Sequence, residues 1–64
     1  MAGDERILRR AAVLDRTGLS KTTLYRKIAE GTFPRQIRIS FKGSGWYESA
    51  VEEWIADPMA YRAA

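Results

Sequence analysis

Six of the seven residues from 21 to 27 carry groups that can meet a polyanion. They are Lys21, Thr22, Thr23, Tyr25, Arg26 and Lys27, preceded by Ser20 and interrupted by Leu24 alone. Lys and Arg pair with phosphates, and Arg also forks onto guanine. Thr meets a phosphate or a thymine methyl, and Tyr reaches backbone or base edge. A second basic group follows at Arg35, Arg38 and Lys42. This is the chemistry of binding. Catalysis has little to work with: the adjacent carboxylates Glu52 and Glu53 would diverge by about 100° on a helix and not face one another as acid and base. The sequence contains neither His nor Cys, so the commonest general base, the commonest metal ligand and the thiolate nucleophile are missing. No phosphate-cradling glycine loop is present either. No enzyme activity, cofactor or metal site is expected.

The charge is unevenly spread. Residues 1–20 hold Arg6, Arg9, Arg10 and Arg16 against Asp4, Glu5 and Asp15, a balance of +1. Residues 21–42 hold Lys21, Arg26, Lys27, Arg35, Arg38 and Lys42 against Glu30, a balance of +5. Residues 43–64 hold Arg62 against Glu48, Glu52, Glu53 and Asp57, a balance of −3. A basic middle beside an acidic end suits a polyanion, although a mixed charge also serves solubility alone. No stretch is long and apolar enough to cross a bilayer, and the start of the chain lacks the apolar core of a signal peptide. The absence of Cys is compatible with a reducing compartment. A cytoplasmic protein without membrane partners is the expectation.

Sixty-four residues allow one domain with a small core, in which every large apolar side chain is needed. Residues 1–6 are expected to form a flexible lead-in, with Ile7 and Leu8 as an apolar anchor before the first helix. That helix is predicted from about Arg10 to Thr17, stopped by Gly18. Ser20 then caps a second helix, Lys21 to about Glu30, with Leu19 and Leu24 as a hydrophobic staple and Gly31 as its stop. Helix, glycine turn and capped helix make a helix-turn-helix.

Ile37 to Phe41 alternates apolar and polar, the period of a half-buried strand. Lys42 to Gly45 is predicted as the hairpin tip, and Trp46-Tyr47 as the return strand. Ser49-Ala50-Val51-Glu52 fits a capping box opening a third helix, which buries Val51, Trp54 and Ile55 and ends at Asp57-Pro58. Residues 58–64 form a short tail. The expected fold is mainly α with a small β-hairpin: a winged helix-turn-helix domain over residues 7–57.

On the second helix, Leu24 and Ile28 point inward while Thr22 and Arg26 lie opposite, flanked by Tyr25 on one side and Thr23 and Lys27 on the other. Either this face is merely solvated, or it enters the major groove of duplex DNA as the second helix of such a unit does. Arg38 and Lys42 on the wing either deter edge pairing or meet backbone or minor groove. Trp46 and Trp54 suit base stacking, but a domain this small needs them in its core.

The run Val13-Leu14-x-x-Thr17-Gly18-Leu19-Ser20-x-x-Thr23-Leu24-Tyr25-Arg26 continues as Ile28-x-x-Gly31-x-Phe33-Pro34. Gly45-Trp46-x-x-Ser49-x-Val51-x-x-Trp54-Ile55 completes the pattern. This combination resembles the AlpA-like prophage regulators, grouped with phage excisionases among MerR-like winged helix-turn-helix proteins. The resemblance implies a small DNA-binding protein of a mobile element, acting as a transcriptional regulator. The alternative it implies is an excisionase that bends DNA and directs an integrase. It places Ser20, Thr23, Tyr25 and Arg26 at matching DNA-facing positions, with Lys21 and Thr22 as variable slots. Ala11-Ala12 departs from the Pro-Glu often found at the first helix start in that family.

The expected partner is double-stranded DNA, bound through Ser20, Lys21, Thr22, Thr23, Tyr25, Arg26, Lys27, Arg38 and Lys42. Further copies of the chain bound cooperatively on DNA, an integrase, or RNA polymerase are additional candidate partners. The rival reading is a protein-interaction module that uses the acidic third helix and binds no DNA.

Overall fold

The computed structural model describes residues 5–63. The element order is β1 (Ile7–Leu8), α1 (Arg10–Thr17), α2 (Lys21–Glu30), β2 (Ile37–Arg38), β3 (Ser44–Tyr47) and α3 (Glu48–Ala56). The architecture is three helices with a small antiparallel sheet, a winged-helix-like arrangement.

The helix-turn-helix forms from local signals. Gly18 ends α1 at φ 74° and Gly31 ends α2 at φ 81°, a left-handed backbone that glycine adopts without a Cβ clash. Ser20 caps α2 by accepting the Thr23 amide at 3.2 Å. Between the helices, the Thr17 hydroxyl donates to the Val13 carbonyl at 2.8 Å and accepts the Leu19 amide at 3.3 Å. One side chain thereby ties the turn to the helix before it.

The sheet has the order β1-β3-β2. Ile7 pairs with Tyr47 and Leu8 with Trp46, while Ile37 pairs with Gly45 and Arg38 with Ser44. The apolar anchor at Ile7-Leu8 is therefore a strand in its own right. Val13, Leu24, Phe33, Trp46, Val51 and Trp54 form the buried core, with Leu8, Leu14, Leu19, Ile28 and Tyr61 packed around it. Both tryptophans are in the core as expected, and both satisfy their indole N–H groups. Trp46 donates to the Pro34 carbonyl at 3.0 Å and Trp54 to the Thr32 carbonyl at 2.9 Å. The Phe33 and Trp54 rings are tilted by 58° with centroids 5.0 Å apart, a favourable aromatic geometry.

Several local expectations are corrected. The strand predicted to Phe41 stops at Arg38, because the amides of Ile39 and Ser40 both turn to the Gly43 carbonyl, at 3.0 and 3.2 Å. The hairpin therefore reverses before Lys42, and Phe41 is 87% exposed at its tip. The predicted capping box is not used: α3 begins at Glu48 after Tyr47, with no side-chain cap from its own sequence. The Glu5 carboxylate fills that place, accepting from the Ser49 amide at 3.3 Å and the Ser49 hydroxyl at 2.9 Å. Ile55 is 39% exposed where burial was expected, since Val51 and Trp54 alone carry the inner face of α3.

Both ends of the described chain are attached. The Glu48 amide donates to the Arg6 carbonyl at 2.8 Å, and the Ala63 amide to the Gly31 carbonyl at 2.8 Å. The expectations for residues 1–4 and for residue 64 lie outside the described residues.

Candidate nucleic-acid interface

Helix α2 divides its residues by side. Leu24 is fully buried and Ile28 half-buried, which fixes the opposite face outward. Lys21, Thr22, Tyr25 and Arg26 are exposed along that face, a continuous stripe at helical spacing. Ser20 and Thr23 have local duties as well: the Ser20 hydroxyl donates to Thr23 Oγ1 at 2.9 Å while it caps the helix. Lys27 is half-buried on the flank, where its carbonyl accepts the amide and the hydroxyl of Thr32, at 2.9 and 3.3 Å.

The wing residues behave differently from one another. The Arg38 guanidinium donates to the Phe41 carbonyl at 3.0 Å, so it braces the hairpin turn while staying exposed. Lys42 is exposed and borders a cleft. This cleft, about 440 Å³, runs between α1, α2 and the wing, and Arg9, Arg10, Tyr25, Gln36 and Lys42 line it. It joins the exposed stripe of α2, through Tyr25, to the wing, through Lys42.

Arg9, Arg10 and Gln36 were not anticipated as site residues. The signal was present in the paired arginines at the start of α1. A helix N-terminus favours acidic groups, yet neither α1 nor α2 has an acid in its first turn, and Arg10 and Lys21 stand first in them. Basic residues there add to the positive end of the helix dipole and concentrate positive potential on this side. A Cβ placed on Gly43 would lie 3.3 Å from Arg9 Nη2, which sets the Arg9 guanidinium beside the wing turn.

Among the described residues, the ion pairs involve Arg16 alone. It reaches Glu48 at 2.8 Å and also pairs with Glu52. The hydrogen bond that Arg16 donates to Glu52, then the one it donates to Glu48, raises the Arg16 pKa further above its ordinary value. Two of the three acids of α3, Glu48 and Glu52, are thereby occupied against α1, while Glu53 stays exposed. Among the described residues no group of three or more His, Cys, Asp or Glu is placed to hold a metal ion, and no helix is long and apolar enough to cross a membrane.

The chain is similar to a protein of Enterobacteria phage P4, the uncharacterized protein ORF88, with 40% identity over 58 residues. That match covers 91% of this chain and 66% of the phage protein, so the chain spans just under two thirds of that relative's length. It is also similar to the DNA-binding transcriptional activator AlpA of Escherichia coli strain K12, with 33% identity over 57 residues, 80% of this chain and 81% of AlpA. No solved structure matches it. The family described as prophage CP4-57 regulatory protein (AlpA) matches residues 6–59. That span takes in the helix-turn-helix, the wing and α3 together, and the chain belongs to the AlpA family of prophage regulatory proteins.

Proposed function

We propose that this protein is a sequence-specific double-stranded DNA-binding regulator of transcription, encoded by a mobile element and working in the cytoplasm without catalytic activity. One observation carries the reading: the exposed stripe Lys21, Thr22, Tyr25 and Arg26 opens directly onto the basic cleft bounded by Arg9, Arg10 and Lys42. A helix of this diameter fits the major groove of B-DNA, which is about 12 Å wide. Tyr25 and Arg26 then face base edges, Lys21, Arg9 and Arg10 face phosphates, and the wing lies over the adjacent backbone. The name of the similar AlpA protein, a DNA-binding transcriptional activator, supports the same class.

One such domain covers little DNA. Two or more copies on neighbouring half-sites supply the footprint. The exposed side of α3, with Glu53 and Ile55, is the surface left for an integrase or RNA polymerase.

The test is selection of bound duplexes from a random-sequence library, followed by fluorescence anisotropy on the selected and a scrambled duplex across a salt series. The selected duplex binds more tightly, and log K falls linearly with log salt. Arg9, Arg10, Lys21, Arg38 and Lys42 on phosphates give a slope of about −4.5. Absence of salt-dependent duplex binding overturns the proposal in favour of a protein-only module.

A further inference from the structure

Phe41 is out of place for a chain this short. The core takes in Phe33, Trp46 and Trp54, yet Phe41 is left 87% exposed at the tip of the wing. A domain of this size has few large apolar groups to spare. The backbone that carries the ring is also held firmly. Ser40 and Gly43 exchange backbone bonds at 3.2 and 3.3 Å, Ile39 adds another to Gly43 at 3.0 Å, and the Arg38 guanidinium grips the Phe41 carbonyl at 3.0 Å. Gly43 itself is buried, and a Cβ there would meet Ser40 Oγ at 2.7 Å, so this turn is packed closely on its inner side.

The surroundings of the ring decide what it meets. Its neighbours along the chain are Ser40 and Lys42, and Arg38 reaches its carbonyl; all three are exposed and two are cationic. A protein-docking patch gathers apolar residues, whereas a single apolar ring between two cations matches the minor groove. There, phosphates line both rims about 6 Å apart and the floor is the edge of the base stack. Apolar side chains that enter this groove part successive base pairs and kink the duplex.

We infer that Phe41 is a wedge that inserts between stacked base pairs from the minor groove, with Arg38 and Lys42 straddling it on the flanking phosphates. The inference rests on the DNA-binding reading above and adds to it a residue, a groove and a deformation. Pyrimidine–purine steps such as TA unstack most easily, so the wing prefers one of these beside the site that α2 contacts.

The test uses the full chain and a duplex selected with it from the random library. 2-Aminopurine is placed in turn at each position flanking the α2 site, because its fluorescence rises when it is unstacked. The wild-type protein raises fluorescence at one step. Phe41→Ser abolishes the rise and weakens binding about tenfold, Phe41→Leu keeps part of both, and both variants melt as the wild type does by circular dichroism. If the wild-type protein selects no duplex, the functional reading fails and the wedge with it. If Phe41→Ser binds as tightly as the wild type, the wedge alone is overturned and the ring is left for a protein partner. If binding weakens but the wild-type protein never raised the fluorescence, the ring lies against backbone and the inference is equally overturned.

Discussion

The Trp54 indole N–H donates to the Thr32 carbonyl at 2.9 Å, binding α3 to the turn that follows α2. The same ring packs on Phe33, so one residue of the last helix supports the exit of α2. Trp54→Ala removes both supports and is expected to cost about 3–5 kcal/mol, comparable with the whole stability of a small domain. Trp54→Phe keeps most of the packing but leaves the carbonyl without its donor, at a cost of about 1–3 kcal/mol. Urea titration followed by circular dichroism ranks the two. A Trp54→Ala protein that stays folded and loses only DNA affinity refutes the packing assignment.

Arg16 links α1 to the start of α3 through Glu48 and Glu52. The pairing raises its pKa, so its contribution is fully present below the ordinary arginine value and lost only as pH rises beyond that. Arg16 therefore adds no pH dependence to stability near neutrality. Salt is the lever: the pair is exposed, and screening at about 1 M shortens the Debye length to about 3 Å. Arg16→Gln should lower the melting temperature slightly at low salt, with the difference closing at high salt. A difference that persists at 1 M indicates a packing role for the side chain.

Gly45 pairs with Ile37 of β2 and lies next to the end of the β1 pairing at Leu8 and Trp46. A Cβ there would stand 2.7 Å from the Leu8 carbonyl oxygen and 2.8 Å from Ile7 Cγ2, and backbone oxygen does not move aside cheaply. Gly45→Ala is expected to cost about 1–3 kcal/mol and to loosen the Ile7–Leu8 pairing first. Hydrogen exchange at the Leu8 and Trp46 amides, which face one another across the two strands, together with the denaturation midpoint, measures both. An unchanged midpoint contradicts the close approach of these strands.

Arg26 and Lys42 separate specificity from affinity. Arg26→Ala on the outer face of α2 removes a forked base contact, costing about 1–3 kcal/mol on the selected duplex and little on scrambled DNA. Lys42→Ala on the wing weakens both duplexes alike and reduces the salt slope by about one unit. Anisotropy on both duplexes across salt gives the two numbers. The reverse pattern makes the wing the element that reads sequence.

The helix-turn-helix was legible because its signals are local: Ser20, Gly18 and Gly31 act within their own turns, and Leu24 declares the inner face of α2. What was misjudged depends on partners distant in sequence. Ser49 satisfies a capping template, but its groups are taken by Glu5, 44 residues away. A two-residue strand such as Ile7–Leu8 has no period to detect, and only its pairing with Trp46 and Tyr47 defines it. Alternation carried the wing strand too far because the hydrogen bonds of Ile39 and Ser40 to Gly43 override it. The basic cleft needs the start of α1 beside the wing, a neighbourhood that the linear pattern does not encode.

The division of labour within α2 makes the domain re-addressable. Ser20 and Gly31 terminate the helix and Leu24 anchors it, so Lys21, Thr22, Tyr25 and Arg26 are left on its exposed face. Substitutions at such surface positions usually stay within about 0.5 kcal/mol of neutral for folding. On the DNA-binding function proposed above, the same chassis can be directed to a different operator by exchanging four side chains, with the caps, core and wing left as they are.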